Sequence, residues 1–370
     1  MKNRAIPVYE PNIGQKEIEY VEDAVKSGWV SSKGPYIERF EKMFSSFIGA
    51  KYGVSASNGT TALHLAVSAL GIGAGDEVIA PNLTFVSPIN SVIYNGGRPV
   101  LVDSNENDWN VNYEEIENRI TERTKAIIVV HLYGHPCDMG RIKEIAEDHN
   151  LRIIEDCAEA IGAEYRGQKV GSFGDISCFS FYGNKIITTG EGGMCLTKDD
   201  EITEKLHELR DHGMKPSRRY WHDKIGYNYR MTNLQAALGV AQMERIESFI
   251  DRKREIAKKY NDRLRNIEGI QTQPEMSWAK NVYWMYSILV NYPSGKGRDR
   301  VINALEDANV ETRPFFYPVN IMSPYTSYGN ESELKISCNL SRSGLNLPSG
   351  TKIMHKDIDM ICDLIGESLE

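Results

Sequence analysis

The 370-residue chain has no uninterrupted apolar stretch of the length that spans a bilayer, which is about 20 residues. Its first residues, Met1 to Arg4, have no apolar core behind them, so we expect no secretion signal. Acidic residues (51) outnumber Lys and Arg (43), and the net charge of −8 provides no basic field to attract nucleic acid or an anionic membrane. These absences predict a cytoplasmic protein without a nucleic-acid or membrane partner.

Paired cysteines of the kind that bind zinc or form a redox disulfide are also missing, because no Cys-x-x-Cys motif occurs. The six cysteines are Cys137, Cys157, Cys178, Cys195, Cys338 and Cys362. We interpret them as buried thiols in a reducing compartment. His131 and His135 flank a strand-to-loop junction with no acid placed to help them, so we expect no metal site.

No Gly-x-Gly-x-x-Gly motif follows a first strand, which argues against a nicotinamide-dependent oxidoreductase. The chain instead shows strand-like and helical segments in alternation as far as Asn233. Ala126–Leu132, for example, is a continuous apolar run, typical of a strand buried on both faces, and a helical pattern follows at Met139–His149. This alternation predicts an α/β fold with a mostly parallel sheet, whose ligands bind at the carboxyl ends of the strands.

After Asn233 the pattern changes, and Leu234–Ala257 predicts one long helix or two joined helices. The charged run Asp251–Glu255 within it is expected to be a solvated face. A strand-like segment and two helical segments follow. We therefore expect a large domain over residues 1–245 and a smaller α+β domain over residues 246–370.

Asp156 and Lys185 are the most informative pair of residues. Asp156 ends one apolar run, and Lys185 lies between another apolar run and the glycine-rich stretch Gly190–Gly193. Such a pair suits an enzyme that uses pyridoxal 5′-phosphate (PLP). The lysine forms a Schiff base with the aldehyde, and the aspartate keeps the pyridine nitrogen protonated. The alternative for Asp156 alone is a cap on the following helix.

Other segments offer places for the rest of this cofactor. Ser57–Thr61 opens a helix whose free N–H groups can bind a phosphate, although an ordinary helix cap is the alternative. Ser180 is either a further phosphate donor or a plain strand serine. Phe85 either stacks on the ring or belongs to the core. Glu159 either reaches the ring hydroxyl or is a surface carboxylate or helix cap.

Taken in order, these segments resemble the DegT-type nucleotide-sugar aminotransferases, which have the aspartate aminotransferase fold (fold type I). The resemblance covers nearly the whole chain. The motifs that carry it are Gly28–Ser31, Ser57–Thr60, Glu155–Ala160, Ser180 to Lys185 and Gly226–Asn233. It implies a large domain with a mostly parallel seven-stranded sheet between helices, plus a smaller C-terminal α+β domain.

The resemblance also implies roles for individual residues. Lys185 is the Schiff-base lysine, Asp156 is the partner of the ring nitrogen, and Phe85 stacks on the ring. Glu159 lies near the ring hydroxyl, where relatives often carry His or Gln. The residues implied at the phosphate are Asn58, Gly59, Thr60 and Ser180, with Asn228 reaching over from the neighbouring subunit. The expected active unit is therefore a homodimer with shared sites.

Lys185 points to amino transfer, since some relatives carry His there and act as sugar dehydratases. Phe181–Lys185 and Thr312–Pro318 resemble the subgroup that transfers the amino group of L-glutamate to GDP-4-keto-6-deoxymannose for O-antigen synthesis. The alternatives are UDP- or dTDP-linked keto sugars, transfer at C3, and a non-catalytic PLP-binding regulatory protein. The residues implied for substrate contacts are Trp29, Ser31, Lys33, Arg230, Arg313 and Tyr317. A surface ion pair is the alternative for the two arginines.

Overall fold

The computed structural model describes residues 4–215, 217–291 and 297–369. Helices and strands alternate along its first part, as the sequence predicts. The α-helices are α1 (Gln15–Lys26), α2 (Pro35–Ile48), α3 (Gly59–Ala69), α4 (Ser87–Tyr94), α5 (Tyr113–Asn118), α6 (Met139–Asp148), α7 (Asp200–Arg210), α8 (Asn233–Met243), α9 (Ile246–Leu264), α10 (Gly297–Asp307), α11 (Lys335–Ser343) and α12 (His355–Leu369). The strands are β1 (Tyr52–Ala56), β2 (Glu77–Pro81), β3 (Arg98–Val102), β4 (Thr124–Val130), β5 (Arg152–Asp156), β6 (Glu164–Tyr165), β7 (Gln168–Lys169), β8 (Ile176–Ser180), β9 (Gly193–Thr197), β10 (Ile270–Thr272), β11 (Ala279–Lys280), β12 (Tyr286–Val290), β13 (Arg313–Pro314) and β14 (Gly344–Leu347).

The central sheet has seven strands in the order β1-β9-β8-β5-β4-β2-β3. Neighbouring strands run parallel except at β9, which is antiparallel to both β1 and β8. The prediction of a mostly parallel seven-stranded sheet is therefore confirmed. Because parallel strands end at the same edge, β2, β4, β5 and β8 bring their carboxyl ends to one side of the molecule.

Strand β4 shows how the sequence places this sheet between two layers of helices. Ile127 and Val129 pack in one buried cluster, whereas Ala126 and Ile128 pack in another. Residues of α1, α2, α6 and α8 belong to the first cluster, and residues of α3, α4 and α7 belong to the second. Both faces of the strand are covered by apolar side chains, which explains its continuous hydrophobic run.

The C-terminal part has a sheet and a core of its own. Strands β10, β12, β14 and β13 form an antiparallel sheet in that order, and residues of α9, α10 and α12 pack in a third buried cluster. Ile6, near the start of the chain, pairs with Val310 and joins this cluster. The long helical segment is two helices, since α8 ends at Met243 and α9 begins at Ile246. The domain boundary at residue 245 falls between them and stays a prediction.

The charged run in α9 differs from the sequence expectation at one position. Asp251 and Glu255 are exposed, but only 1% of Lys253 is exposed. The prediction of a solvated face is therefore wrong for Lys253. The reason is its place on the helix, three residues after the buried Ile250 and four before the buried Ala257.

Two further expectations concern the chain as a whole. Within the described ranges, no helix combines the length and the apolar composition that crossing a membrane requires. All six cysteines are buried, and each is a free thiol.

Candidate active site

A cavity of about 720 Å³ opens at the edge where the parallel strands end. Asp156 is the last residue of β5 and Ser180 is the last residue of β8, so the sheet itself delivers both side chains to the cavity. Most of the site residues predicted from the sequence line it. They are Asn58, Gly59, Thr60, Phe85, Asp156, Glu159, Ser180, Lys185 and, of the predicted substrate contacts, Arg313.

Two long-range hydrogen bonds fix the backbone around Lys185, which lies in the loop between β8 and β9. The Tyr9 hydroxyl donates to the Lys185 carbonyl at 2.5 Å. The indole N–H of Trp284 donates to the Asn184 carbonyl at 2.7 Å. The Lys185 amine itself lies 3.7 Å from the centre of the Trp284 ring. The loop therefore presents this amine in a defined position.

Three ionisable groups share the buried interior of the cavity. Burial raises the pKa of Asp156 and of Glu159, and the nearby Lys185 amine acts in the opposite direction on both. Burial also lowers the pKa of Lys185, against the influence of the two carboxyl groups. A lowered pKa favours the free amine, which is the form that attacks a carbonyl carbon.

The two carboxyl groups differ in their hydrogen bonds. Asp156 accepts the N–H of Ala158 at 3.0 Å. Its carboxylate is otherwise available to a cation in the cavity. Glu159 accepts the N–H of Tyr133 at 2.7 Å, and burial raises the pKa of Glu159 to about 7. Near neutral pH this carboxyl group is therefore present in both its protonated and its ionised form.

Helix α3 begins at the same edge, and its N-terminus forms an anion-binding site, which we call the anion seat. The Asn58 side chain caps the helix by accepting the N–H of Thr61 at 2.9 Å. A Cβ atom at Gly59 would lie 2.8 Å from the Cβ of Ser180, and one at Gly193 would lie 2.3 Å from the Asn58 carbonyl oxygen. Glycine at both positions allows this close approach, which leaves the first N–H groups of the helix facing the cavity.

Aromatic side chains form the remaining walls. Phe85 is 53% exposed and presents its ring to the cavity. The Phe316 ring is 5.9 Å from that of Phe85 and stacks on Tyr133 at 5.3 Å. The sequence did not single out Phe316, Tyr133 or Trp284 as site residues. For Phe316 a signal was present, because it lies in the Thr312–Pro318 motif.

These groups fit PLP. The start of α3 would hold the phosphate, and Phe85 would cover one face of the ring. Asp156 would face the ring nitrogen, and Lys185 would reach the aldehyde.

Comparisons with known proteins agree with this chemistry. Residues 11–366 match the sequence profile of the DegT/DnrJ/EryC1/StrS aminotransferase family. The chain belongs to this family. It is 47% identical over 362 residues to a GDP-perosamine synthase of Escherichia coli O157:H7 and 45% identical over 365 residues to one of Caulobacter vibrioides, and each alignment covers 98% of both chains.

The fold comparison gives the same result. A Streptococcus pneumoniae structure, assigned as a sugar aminotransferase and solved in its PLP form, matches with a TM-score of 0.94. The sequence identity is 27%, and 99% of this chain and 98% of the other are covered. The protein is therefore a PLP-dependent aminotransferase, and the fold type I prediction is confirmed.

The other predicted residues of this aminotransferase do not line the cavity of their own chain. They are Trp29, Ser31, Lys33, Asn228, Arg230 and Tyr317. Arg230 donates to Asp211, which corresponds to the ion-pair alternative, and the other five residues are exposed. Arg313 also forms an ion pair, with Glu311 at 3.4 Å, although it lines the cavity. Asn233 holds the loop of residues 29–33, because its side chain donates to the Trp29 carbonyl at 2.8 Å. Such residues contribute to a site only through another chain or a ligand that extends beyond the cavity.

Outside the cavity, the aminotransferase also contains a buried pair of His131 and Glu155. His131 Nε2 is 3.2 Å from Glu155, and Cys157 belongs to the same group. The expectation that no acid lies near His131 is therefore wrong. Hydrogen bonds already engage these groups: His131 Nδ1 accepts the Cys137 N–H, and Glu155 accepts the N–H groups of Gly171, Phe173 and Gly174. The group thus fixes the chain before β8.

We expect Glu159→Gln to change how the stability of the cofactor-free protein depends on pH. The pKa of Glu159 is about 7 in the folded protein, above its ordinary value of 4.5. Between these values the folded protein binds more protons than the unfolded chain, so it loses stability as the pH rises. Urea unfolding should show that the wild type loses about 2 kcal/mol relative to the variant between pH 5 and pH 8.

The exposed Glu147→Gln on helix α6 is the control for this measurement. It should leave the pH dependence of the wild type unchanged. Equal pH dependence of the wild type and Glu159→Gln would show that Glu159 ionises equally in the folded and unfolded states.

Proposed function

We propose that this aminotransferase moves the amino group of L-glutamate to C4 of GDP-4-keto-6-deoxymannose, which gives GDP-perosamine. The observation that carries the proposal is the Lys185 amine, buried in one cavity with Asp156 and Glu159. The similarity to GDP-perosamine synthases over 98% of the chain supports this sugar nucleotide. The amino sugar would enter O-antigen polysaccharide synthesis in the cytoplasm.

Bound PLP would supply an aldehyde that bonds to amines and a ring that accepts electrons. Lys185 would move the protons. Its Nζ would take the α-proton from L-glutamate, the amino group would be retained by the cofactor, and water would supply the keto oxygen of the departing 2-oxoglutarate. In the second half of the cycle, the keto oxygen of the sugar would leave as water, and Nζ would deliver a proton to C4 as that carbon receives the amino group. Because the two substrates use one site in turn, ping-pong kinetics should result.

Asp156 and Glu159 would hold two different atoms of the cofactor ring. A buried aspartate favours the protonated form of a nearby ring nitrogen, which suits Asp156. Glu159 has a pKa of about 7 and is able to donate or accept a hydrogen bond near neutral pH. It therefore suits the ring hydroxyl, an oxygen whose own protonation changes.

We further propose a homodimer in which each subunit completes the site of the other. Asn228 is exposed and does not line the cavity of its own chain, so a partner subunit is needed to bring it to the phosphate. The exposed loop of residues 29–33 would contact the nucleotide in the same way. Arg313 lines the cavity and would bind the diphosphate, which favours the planar guanidinium group.

Lys185→Ala tests the role of the amine. The purified wild type should absorb in the visible, and borohydride reduction followed by peptide mapping should find the cofactor attached to Lys185. The variant should lose the visible band and at least about 10³-fold in transamination. Lys205→Ala, at an exposed position on α7, is the control. Full activity of Lys185→Ala would remove this residue from the mechanism.

A panel of keto sugar nucleotides tests the substrate. With L-glutamate as donor, kcat/KM should be roughly 10²-fold higher for GDP-4-keto-6-deoxymannose than for UDP- or dTDP-linked 4-keto sugars or for 3-keto sugars. A higher value for one of the others would overturn the sugar assignment and leave amino transfer standing. If L-glutamate fails to bleach the visible band, the protein is a PLP-binding protein without turnover.

Mixed dimers test the shared site. Lys185→Ala and Asn228→Asp should each be inactive alone, the second because it places a negative charge beside the phosphate. When the two chains are co-expressed, a mixed dimer contains one site with both residues intact, so about a quarter of the wild-type activity should return at random assortment. A monomeric mass in solution, or no recovery on mixing, would contradict the proposal.

A further inference from the structure

Lys253 is a buried lysine that the proposed reaction does not use. It lies on α9 with 1% of its surface exposed. Its ammonium donates to the Trp284 carbonyl at 2.9 Å, to the Ser349 carbonyl at 2.5 Å and to the Ser349 hydroxyl at 3.1 Å. None of these three partners in the described structure is a carboxylate. Burial lowers the pKa of Lys253 to about 7, and both the ammonium and the amine have enough N–H groups for the two carbonyls.

Trp284 connects this lysine to the catalytic one. Lys253 holds the backbone carbonyl of Trp284 at one end. At the other end, the Trp284 indole N–H donates to the Asn184 carbonyl, and the ring lies 3.7 Å from the Lys185 amine. A change in the backbone at Trp284 therefore moves both the ring beside the amine and the donor that holds the residue before Lys185.

A second connection runs through Tyr9. The Tyr9 hydroxyl donates to the Lys185 carbonyl, and the Lys253 ammonium is 5.8 Å from the centre of the Tyr9 ring. Ser349, which accepts two hydrogen bonds from Lys253, donates its own N–H to the Val8 carbonyl at 3.0 Å. The same ammonium thus holds the segment that precedes Tyr9.

We infer that Lys253 is a positioning residue that fixes Trp284 and Tyr9 against the Lys185 loop and so sets the placement of the Lys185 amine. A buried lysine without an acidic partner destabilises a folded protein relative to an apolar residue of similar size. Its presence at this site is explained by the two carbonyls it holds, one of which belongs to a wall of the cavity. The inference rests on the proposed role of Lys185.

Lys253→Met and Lys253→Arg, with Lys258→Met as the matched control, test this inference in the PLP-loaded enzyme. Lys258 lies on the same helix and is exposed. Lys253→Met removes the donors at nearly constant side-chain volume. It should shift the pH midpoint of the visible band by about 0.5 to 1 unit and slow bleaching of the band by L-glutamate roughly 10- to 100-fold. Lys253→Arg, which keeps a donor, should lie between the wild type and Lys253→Met, and Lys258→Met should match the wild type.

The visible band and the bleaching rate separate positioning from simple stability. If Lys253→Met lowers the melting temperature but keeps the wild-type midpoint and bleaching rate, Lys253 is only a structural residue and the inference is wrong. Borohydride mapping of the same variant should still find the cofactor on Lys185, so a failure of the proposed catalytic role is recognised separately.

Trp284→Phe keeps the inference testable if Lys253→Met does not fold. This variant retains the backbone carbonyl that Lys253 holds and loses the indole N–H that holds Asn184. The pH midpoint should shift from its wild-type value, and bleaching by L-glutamate should be slower than in the wild type, as expected for Lys253→Met. Wild-type values for both in Trp284→Phe would show that the connection from Lys253 does not reach the amine, and the inference would fall.

Discussion

The amine of Lys185 and the carboxyl groups of Asp156 and Glu159 are withdrawn from water in one cavity, and each group has its charge disfavoured by burial. Their mutual proximity offsets part of this cost, since an amine beside two acids stabilises their charged forms and they stabilise its own. The balance leaves an amine with lowered proton affinity and a glutamate that titrates near neutral pH. Much of the surrounding structure serves to keep these three groups together, because an isolated member would be a buried charge without a partner.

The central sheet needs only a few residues to hold these groups together. Val130 of β4 pairs with Asp156 of β5, and Asp156 pairs with Cys178 of β8, so the acid is held in register on both sides. Helix α3 starts at the same edge and supplies N–H groups without any charged side chain in its first turn. The backbone at the start of α3 thus forms the anion seat, and Asp156 supplies the carboxylate for a cation. The loop after β8 contributes the amine.

Asp156 and Lys185 were predictable because Asp156 ends one strand-like segment and Lys185 lies shortly after another, and a strand buried on both faces has to end at an edge of the sheet. Tyr9 and Trp284 were not predictable in this way. The partners of their hydrogen bonds lie 176 and 100 residues away in the chain, and a local pattern carries no information about such pairings. The two-residue strands β6 and β7 are too short to show a period. Lys253 was misread although its spacing from Ile250 and Ala257 contained the correct signal; the neighbouring charges concealed it.

The antiparallel direction of β9 determines how the loop that carries Lys185 is attached to the sheet. Ser180 at the end of β8 pairs with Gly193 at the start of β9, so residues 181–192 leave the sheet and return to it at one point. The Lys185 amine is carried by this excursion, whereas the anion seat belongs to a neighbouring helix. The strand pairing on either side of residues 181–192 does not involve the lysine side chain. Another side chain at this position would therefore leave strand register unchanged and place a different chemical group beside Asp156 and Glu159.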